Sequence, residues 1–368
     1  MAAPEVLFRP TKEFMDDRLF DLDNPRLNVD NGLRQFAEVK KRLAKEGIEA
    51  RTIDRARDLA GAKTIFFFEM PRPGDRFFPR CVESGLAERM RLLLYEPPAT
   101  RPDNYEEARH ADFGRVLTWR DDMVDGKKYV KNNFVMPYFK SEKIEFRADG
   151  TEFDKKKLLC LVSANKYSFH PDQLYSERVR AIRFMEKNHP DEFDLYGQRW
   201  DLPVVHSPLA ERLGVNNISK GLNRLGKDSP TRLLPNWQYP SYRGPLPSKY
   251  PTLGHYRFSI AYENQKNVPG YVSEKLMDAF IGANVPVYLG ASNIGKHVPP
   301  ECFVDLRKFM EGAETDYGRL HEYLRSVEKK EHEEFLSNIH AFLNSPKSDE
   351  FKMDFFIGNI LSEVESGG

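Results

Sequence analysis

Short runs of consecutive apolar residues constrain the fold of this chain more than any other feature. Such runs lie at residues 6–8, 64–68, 92–95 and 116–119, and a second series begins at residues 158–162. Polar turns flank them, and their length suits strands rather than helices. Because the runs are continuous and do not alternate with polar residues, they predict strands buried on both faces, as in a parallel sheet.

Helical patterns alternate with these runs. Apolar side chains in residues 33–44 fall on one helical face, and Gly47 follows as a stop signal. The second series continues with three strands and two helices, followed by a helical pattern after residue 317. The three strands are predicted at residues 193–196, 258–262 and 285–289, and the two helices at residues 175–187 and 273–283. The proline-rich insertion at residues 201–251 predicts a loop with a short helix.

A polar stretch at residues 140–157 separates the two series, and 368 residues suffice for more than one domain. We therefore predict an α/β fold of two Rossmann-like domains that face a cleft. The first domain is expected over residues 1–150 and the second over residues 151–335. Residues 336–368 are predicted to form a C-terminal helical segment that packs back on the first domain.

The charge balance and the cysteines exclude several classes of protein. The chain has 56 basic and 56 acidic residues, which disfavours a nucleic-acid groove. The N-terminal residues lack a signal-peptide pattern, and no apolar run approaches the roughly 20 residues of a membrane helix. Three widely spaced cysteines indicate neither a disulfide framework nor a zinc site. We expect a cytoplasmic protein, with attachment to the inner face of a membrane as an alternative.

The most informative segment follows the apolar run at residues 258–262. The run ends in Glu263-Asn264, a glycine-containing loop follows, and Ser273 is a candidate N-cap for the next helix. Lys275 is unusual there, because a cation in the first helical turn opposes the helix dipole. A bound anion such as a phosphate would remove that conflict. The alternative is that Lys275 extends into solvent beside Glu274.

This segment resembles a known family. The sequence AYENQKNVPGYVSEKLMDAFIGANVPVYLGASNI at residues 261–294, continued by CFVDLRKF at residues 302–309, is similar to the donor-binding signature of the α-1,3/4-fucosyltransferases. LLYEPP at residues 93–98 and VLTWRDD at residues 116–122 resemble further motifs of that family.

The resemblance implies the GT-B glycosyltransferase architecture, GDP-fucose as donor and inversion at the anomeric carbon. By motif position Glu96 would be the general base, and Arg178 and Lys275 would bind the diphosphate. The other implied donor-site residues are Asn264, Tyr271 and Glu274. From sequence position alone Glu96 could instead cap a helix, and Glu263 could either contact the donor or hold the loop.

We therefore expect an enzyme that transfers L-fucose from GDP-fucose to an oligosaccharide or polysaccharide-precursor acceptor. The resemblance implies an α-1,3 linkage to a GlcNAc-, glucose- or GalNAc-type sugar, with the first half holding the acceptor. No cofactor is expected to be required, although a divalent cation could assist. No metal ligands are predicted, because the nine histidines lack HxxxH or HExxH spacing. The alternatives are a transferase that uses another nucleotide sugar and a non-catalytic nucleotide-binding protein.

Overall fold

The computed structural model describes residues 3–147, 151–201 and 238–366. Its N-terminal half contains a six-stranded parallel sheet of order β2-β1-β3-β4-β5-β6. The strands are β1 (Glu5–Arg9), β2 (Glu49–Thr52), β3 (Thr64–Phe68), β4 (Met90–Leu94), β5 (Arg115–Thr118) and β6 (Tyr129–Lys131). β1, β3, β4 and β5 lie at the apolar runs of the sequence and form the buried centre of the sheet.

The second half contains a five-stranded parallel sheet of order β11-β10-β9-β7-β8. Its strands are β7 (Lys157–Val162), β8 (Phe193–Tyr196), β9 (Tyr256–Tyr262), β10 (Val285–Leu289) and β11 (Val304–Asp305). In chain order this arrangement repeats that of β1 to β5, and it is one of the two common orders of doubly wound α/β folds. The predicted fold class of two Rossmann-like domains is confirmed.

Three strands of these two sheets were not predicted from the sequence, namely β2, β6 and β11. All three lie at the edges of their sheets. In β2, buried residues alternate with half-buried ones, and β6 is half-buried throughout. An edge strand can do without a continuous apolar run, so the signal used for the central strands is absent there.

The helices fill the connections between strands and extend to the C terminus. They are α1 (Arg34–Lys45), α2 (Phe78–Glu83), α3 (Tyr175–Asn188), α4 (Tyr250–Gly254), α5 (Glu274–Ile281), α6 (Ile294–His297), α7 (Tyr317–Ser326), α8 (Lys329–Leu343) and α9 (Met353–Ser366). The predicted boundary at residue 150 and residues 202–237 of the proline-rich insertion lie outside the described residues.

The last helix returns to the first domain, as expected. Phe356 of α9 packs edge-on against Phe36 of α1, with ring centroids 5.3 Å apart. The buried Glu363 carboxylate accepts hydrogen bonds from Arg91 at 2.5 Å and Arg115 at 2.9 Å, both in the first sheet. The expected segment start at residue 336 falls inside α8, whose last turns still pack in the second core. The chain therefore crosses back only after residue 343.

A polar cluster joins the two halves beside the cleft. Asp121, after β5, lies 2.6 Å from Asn293 Nδ2 and 2.9 Å from His297 Nε2, both in the second half. The other ring nitrogen of His297 lies 3.1 Å from Glu350. Burial disfavours a charged imidazole, but these hydrogen bonds outweigh it and raise the pKa of His297 to about 9. A positively charged His297 therefore links two carboxylates at neutral pH.

Candidate active site in the cleft

A cavity of about 380 Å³ opens between the two halves, at the carboxyl ends of their strands. β7 and β9, between which the strand order of the second sheet reverses, both end at this cavity. Parallel α/β sheets bind ligands at such positions. The structure brings together all six residues that the sequence singled out, and the cavity is lined by Glu96, Arg178, Asn264, Tyr271, Glu274 and Lys275.

Glu96 reaches the cavity from the loop after β4. Its backbone N–H donates to the Glu69 carboxylate at 2.9 Å, and its carbonyl oxygen accepts from the Tyr105 hydroxyl at 3.1 Å. Its own carboxylate oxygen Oε2 accepts from Asn264 Nδ2, at 3.5 Å, across the cleft. Among the described residues this carboxylate accepts no hydrogen bond from a helix terminus, so the structure does not support the capping alternative.

Glu69 is a buried carboxylate whose contacts only the structure reveals. It directly follows β3, is 7% exposed and adopts a φ of 65°, in the left-handed region. Its Oε1 accepts the backbone N–H groups of both Tyr95 and Glu96, and the Asn104 side chain donates to Oε2. Burial raises the pKa of Glu69 to about 7, although the Glu96 N–H and Asn104 act in the opposite direction. Glu69 thus fixes the backbone position of Glu96.

The start of α5 is held by a second buried carboxylate, Glu263. It is completely buried and accepts the Ser273 backbone N–H at 2.8 Å and the Ser273 hydroxyl at 2.5 Å. Ser273 in turn caps α5 by accepting from the backbone N–H of Lys275. Of the two roles considered for Glu263, the structure shows that of holding the loop.

Lys275 does not extend into solvent, because its side chain is only 18% exposed. Its Nζ lies 3.0 Å from Ser273 Oγ, 3.4 Å from Glu274 Oε1 and 3.5 Å from Glu263 Oε2. Burial disfavours its charge, but Glu274 and Glu263 outweigh burial and raise the pKa of Lys275. A positive charge is therefore fixed at the first turn of α5, where the helix dipole favours an anion.

Arg178 supplies a second fixed cation at the floor of the cavity. It lies in the first turn of α3, is 3% exposed, and its pKa is lowered by burial. Its Nη2 donates to the backbone carbonyls of Tyr262 and Glu263, both at 2.6 Å, and to Asn264 Oδ1 at 3.1 Å. Arg178 therefore holds the end of β9 as well as lining the cavity.

Tyr271 forms part of the contact between the two halves. Its ring is buried against Trp119, with centroids 4.5 Å apart, and lies 6.2 Å from Phe134. The preceding Gly270 has a φ of 79°, and a Cβ there would lie 2.4 Å from the Trp119 carbonyl oxygen. Only glycine fits this close approach, which seats the loop before α5 against the first half.

Further cations line the cavity that were not singled out from the sequence. Lys166 follows β7, and Lys249 precedes α4 and forms an ion pair with Asp278. With Arg178 and Lys275 they make four cationic side chains around the cavity, against the carboxylates of Glu96 and Glu274. Cationic side chains in a cavity suit an anionic ligand such as a diphosphate, and here Lys249 is already paired with Asp278 and Lys275 with Glu263 and Glu274.

Comparison with known proteins identifies the region around α5. Residues 241–339 match the model of the glycosyltransferase family 10 (fucosyltransferase) C-terminal domain. This region is similar to the family 10 fucosyltransferases. It contains Asn264, Tyr271, Glu274 and Lys275, whereas Glu96 and Arg178 lie outside it. The resemblance noted in the sequence is confirmed.

Individual relatives match parts of the chain. An α-(1,4)-fucosyltransferase of Arabidopsis thaliana is 46% identical over 57 residues, which cover 16% of this chain and 14% of that protein. A human 3-galactosyl-N-acetylglucosaminide 4-α-L-fucosyltransferase is 34% identical over 173 residues, or 40% of this chain and 48% of that protein. The chain thus spans less than half the length of these relatives.

The whole fold has a counterpart among solved structures. The crystal structure of an α1,3-fucosyltransferase with GDP aligns over 99% of this chain and 91% of that chain, with a TM-score of 0.53 and 11% identity. At that identity the likeness shows the fold alone, which is the GT-B architecture. Within the described ranges, no helix has both the length and the apolar character needed to cross a bilayer.

Proposed function

We propose that this chain is an inverting glycosyltransferase that transfers L-fucose from GDP-fucose to a hydroxyl group of a glycan acceptor. The observation that carries the proposal is the position of the Asn264 amide. Its Nδ2 lies 3.5 Å from the Glu96 carboxylate of the first half, and its Oδ1 lies 3.1 Å from the Arg178 guanidinium of the second. The Glu96 carboxylate of the first half and the Arg178 guanidinium of the second half therefore face one cavity, and the Asn264 amide lies between them.

In the proposed reaction the acceptor hydroxyl attacks the anomeric carbon of fucose from the face opposite the diphosphate. A new carbon–oxygen bond forms, and the bond between the anomeric carbon and the β-phosphate oxygen breaks. The hydroxyl proton goes to the Glu96 carboxylate, which acts as general base. The electron pair of the broken bond leaves with GDP.

GDP gains negative charge as it leaves, and we propose that cations of the second half stabilise it. Arg178 is a buried cation and Lys275 a half-buried one, and hydrogen bonds within the second half fix the positions of both. Fixed charges of this kind stabilise a leaving group without the cost of reorganising solvent. We propose that Asn264, Tyr271 and Glu274 complete the donor site, and that Glu263 supports it from behind.

The acceptor is proposed to approach from the first half, which carries Glu96. An α-1,3 linkage to a GlcNAc-, glucose- or GalNAc-type sugar is proposed by analogy with the fucosyltransferase relatives. Several of these relatives are named as fucosyltransferases that act on galactosyl-N-acetylglucosaminides. A same-fold α-glucosyltransferase in complex with UDP aligns with a TM-score of 0.50 and 8% identity, so this architecture also serves other nucleotides.

The donor is tested by ligand-dependent stability. GDP should raise the melting temperature, because a ligand that binds only the folded chain adds about 2.7 kcal/mol at 100 times its Kd. UDP should have a smaller effect or none. An equal response to UDP would favour the alternative of another nucleotide sugar.

The reaction is tested by incubating the protein with GDP-fucose and an array of oligosaccharide acceptors. Fucosylated product and released GDP are expected in equal amounts, and nuclear magnetic resonance should show the inverted anomeric configuration. GDP binding without turnover on any acceptor would favour the non-catalytic alternative. We propose that no metal is obligatory, and transfer should therefore persist in EDTA, since fixed cations stabilise the leaving group.

A further inference from the structure

Three side chains that can bind a metal meet at the end of the second sheet remote from the cleft. His189 follows the last residue of α3, Glu192 lies in the turn before β8, and His321 lies in α7. One ligand atom from each lies within 4.8 Å of the other two. We propose that His189, Glu192 and His321 bind one Zn²⁺ ion. This site is independent of the proposed transferase activity.

The rings of His189 and His321 lie against each other in the structure, and the support for a shared ion is the proximity of the three ligand atoms. Their centroids are 3.4 Å apart and their planes are inclined by 14°. Aromatic pairs usually prefer centroid separations of about 4.5–7 Å, so this approach is closer than ring stacking favours. A tetrahedral zinc lies in the plane of each imidazole that binds it, with bonds of about 2.0–2.1 Å, so at least one of the two rings must turn out of the stack when the ion binds.

The carboxylate is already directed towards the rings. Glu192 Oε2 lies 2.6 Å from His321 Nε2, while Oε1 accepts a hydrogen bond from Arg325 at 2.8 Å. Arg325 therefore orients the carboxylate as an outer partner, which is the usual support for a metal ligand. Glu192 is 27% exposed and can rotate slightly, so that an ion replaces its direct hydrogen bond to His321.

The donor set selects the class of metal. Two imidazoles and one carboxylate suit zinc and similar transition ions, whereas Mg²⁺ and Ca²⁺ prefer sites made of oxygen ligands. Three protein ligands leave a fourth position for water.

The position of the site gives the ion a structural role. Glu192 directly precedes β8, whereas Gly197, which directly follows that strand, lines the cleft. Four strand residues span about 13 Å. The ion would therefore tie α7 to the end of α3 without touching the cleft. Sequence spacing could not reveal the site, because His321 is 129 residues from Glu192.

The experiment uses the full chain, stripped of metal with EDTA and then dialysed. Isothermal titration with ZnCl₂ should show saturable binding of one ion per chain, and Zn²⁺ should raise the melting temperature while Mg²⁺ does not. Co²⁺ should give the visible absorption bands of a tetrahedral site. His189→Ala and His321→Ala should each weaken zinc binding by about tenfold or more.

His340→Ala is the matched control, because His340 also pairs with a glutamate, Glu145 at 3.2 Å, but belongs to no such group within the described residues. It should bind zinc like the unmodified chain. If circular dichroism shows that His321→Ala fails to fold, Glu192→Gln decides, since it keeps the side-chain shape and removes the charged ligand. The proposal is overturned if the stripped chain binds no zinc at one equivalent, or if the folded ligand variants bind it as tightly as His340→Ala.

Discussion

The two walls of the cleft are built in different ways. The second-half wall, residues 263–275, is one continuous strand–loop–helix segment in which Glu263 holds Ser273 and Lys275 within a dozen residues. The first-half wall consists of Glu69, Glu96, Asn104 and Tyr105. There the Glu96 carbonyl oxygen accepts from Asn104 and Tyr105, eight and nine residues away, but its backbone N–H donates to Glu69, which lies 27 residues away at the end of another strand.

This difference explains why the second-half wall could be predicted from the sequence and the support of Glu96 in the first-half wall could not. A local network leaves a contiguous motif, and the family 10 match covers it. The contact between Glu69 and Glu96 joins the ends of two strands and leaves no contiguous motif. Glu96 was therefore predicted because residues 93–98 resemble a family motif. No motif predicted a role for Glu69.

The sharpest test of the comparison is Glu96→Gln. The substitution keeps the size and most hydrogen bonding but removes the ability to accept a proton, so kcat should fall by about 10²–10⁴-fold. GDP affinity and melting temperature should hardly change, because the second-half wall is intact. Glu106→Gln, on an exposed neighbour, is the control. Near-normal transfer by folded Glu96→Gln that binds GDP would remove Glu96 from the mechanism.

Lys275→Ala tests the second-half wall. Loss of a charged partner should weaken GDP binding by about tenfold to a hundredfold, as measured by titration calorimetry. Stability should also fall, because the fully buried Glu263 loses its nearby cation. Lys296→Ala, at an exposed position just before His297, should change neither quantity. Unchanged GDP affinity in Lys275→Ala would contradict a phosphate site at α5.

Glu69→Gln tests whether Glu69 positions Glu96, the proposed general base. A small displacement of Glu96 should lower kcat by on the order of tenfold while GDP affinity is kept. The folded pKa of Glu69, about 7, lies above its ordinary value of 4.5, so its contribution to stability is present below pH 4.5 and lost as the pH rises through 7. Melting temperatures measured from pH 4 to 8 should show this pH-dependent stability in the unmodified chain. In Glu69→Gln the contribution of Glu69 should be absent. A normal kcat in the variant would make Glu69 a purely structural residue.

The smallest effect is expected at His297, which joins the halves beside the cleft but does not line the cavity. Its folded pKa of about 9 exceeds the ordinary 6.5, so its stabilisation is fully present below pH 6.5 and is lost as the pH rises through 9. His297→Gln should therefore lower stability by about 1–2 kcal/mol at pH 6.5 and much less above pH 9. Chemical denaturation at the two pH values measures this difference, and His340→Gln serves as the control. An equal loss at both pH values would show that the charge of His297 is not what matters.

The sequence by itself determined the central architecture and the second-half wall. Thr64–Phe68, Phe193–Tyr196 and Val285–Leu289 form strands at the predicted residues, because strands buried on both faces need apolar side chains at most positions. Ser273 and Lys275 were also recognisable, since capping and the helix dipole act within one turn.

Only the tertiary structure decided the edge strands, the support of Glu96 by Glu69, the charge state of His297 and the meeting of His189 with His321. Each depends on which strand ends and helices lie side by side, and the partners are separated by 27 to 176 residues along the chain. Such contacts leave no periodicity or spacing in the sequence. They follow from the order of the strands within the two parallel sheets, which brings distant strand ends to a common edge.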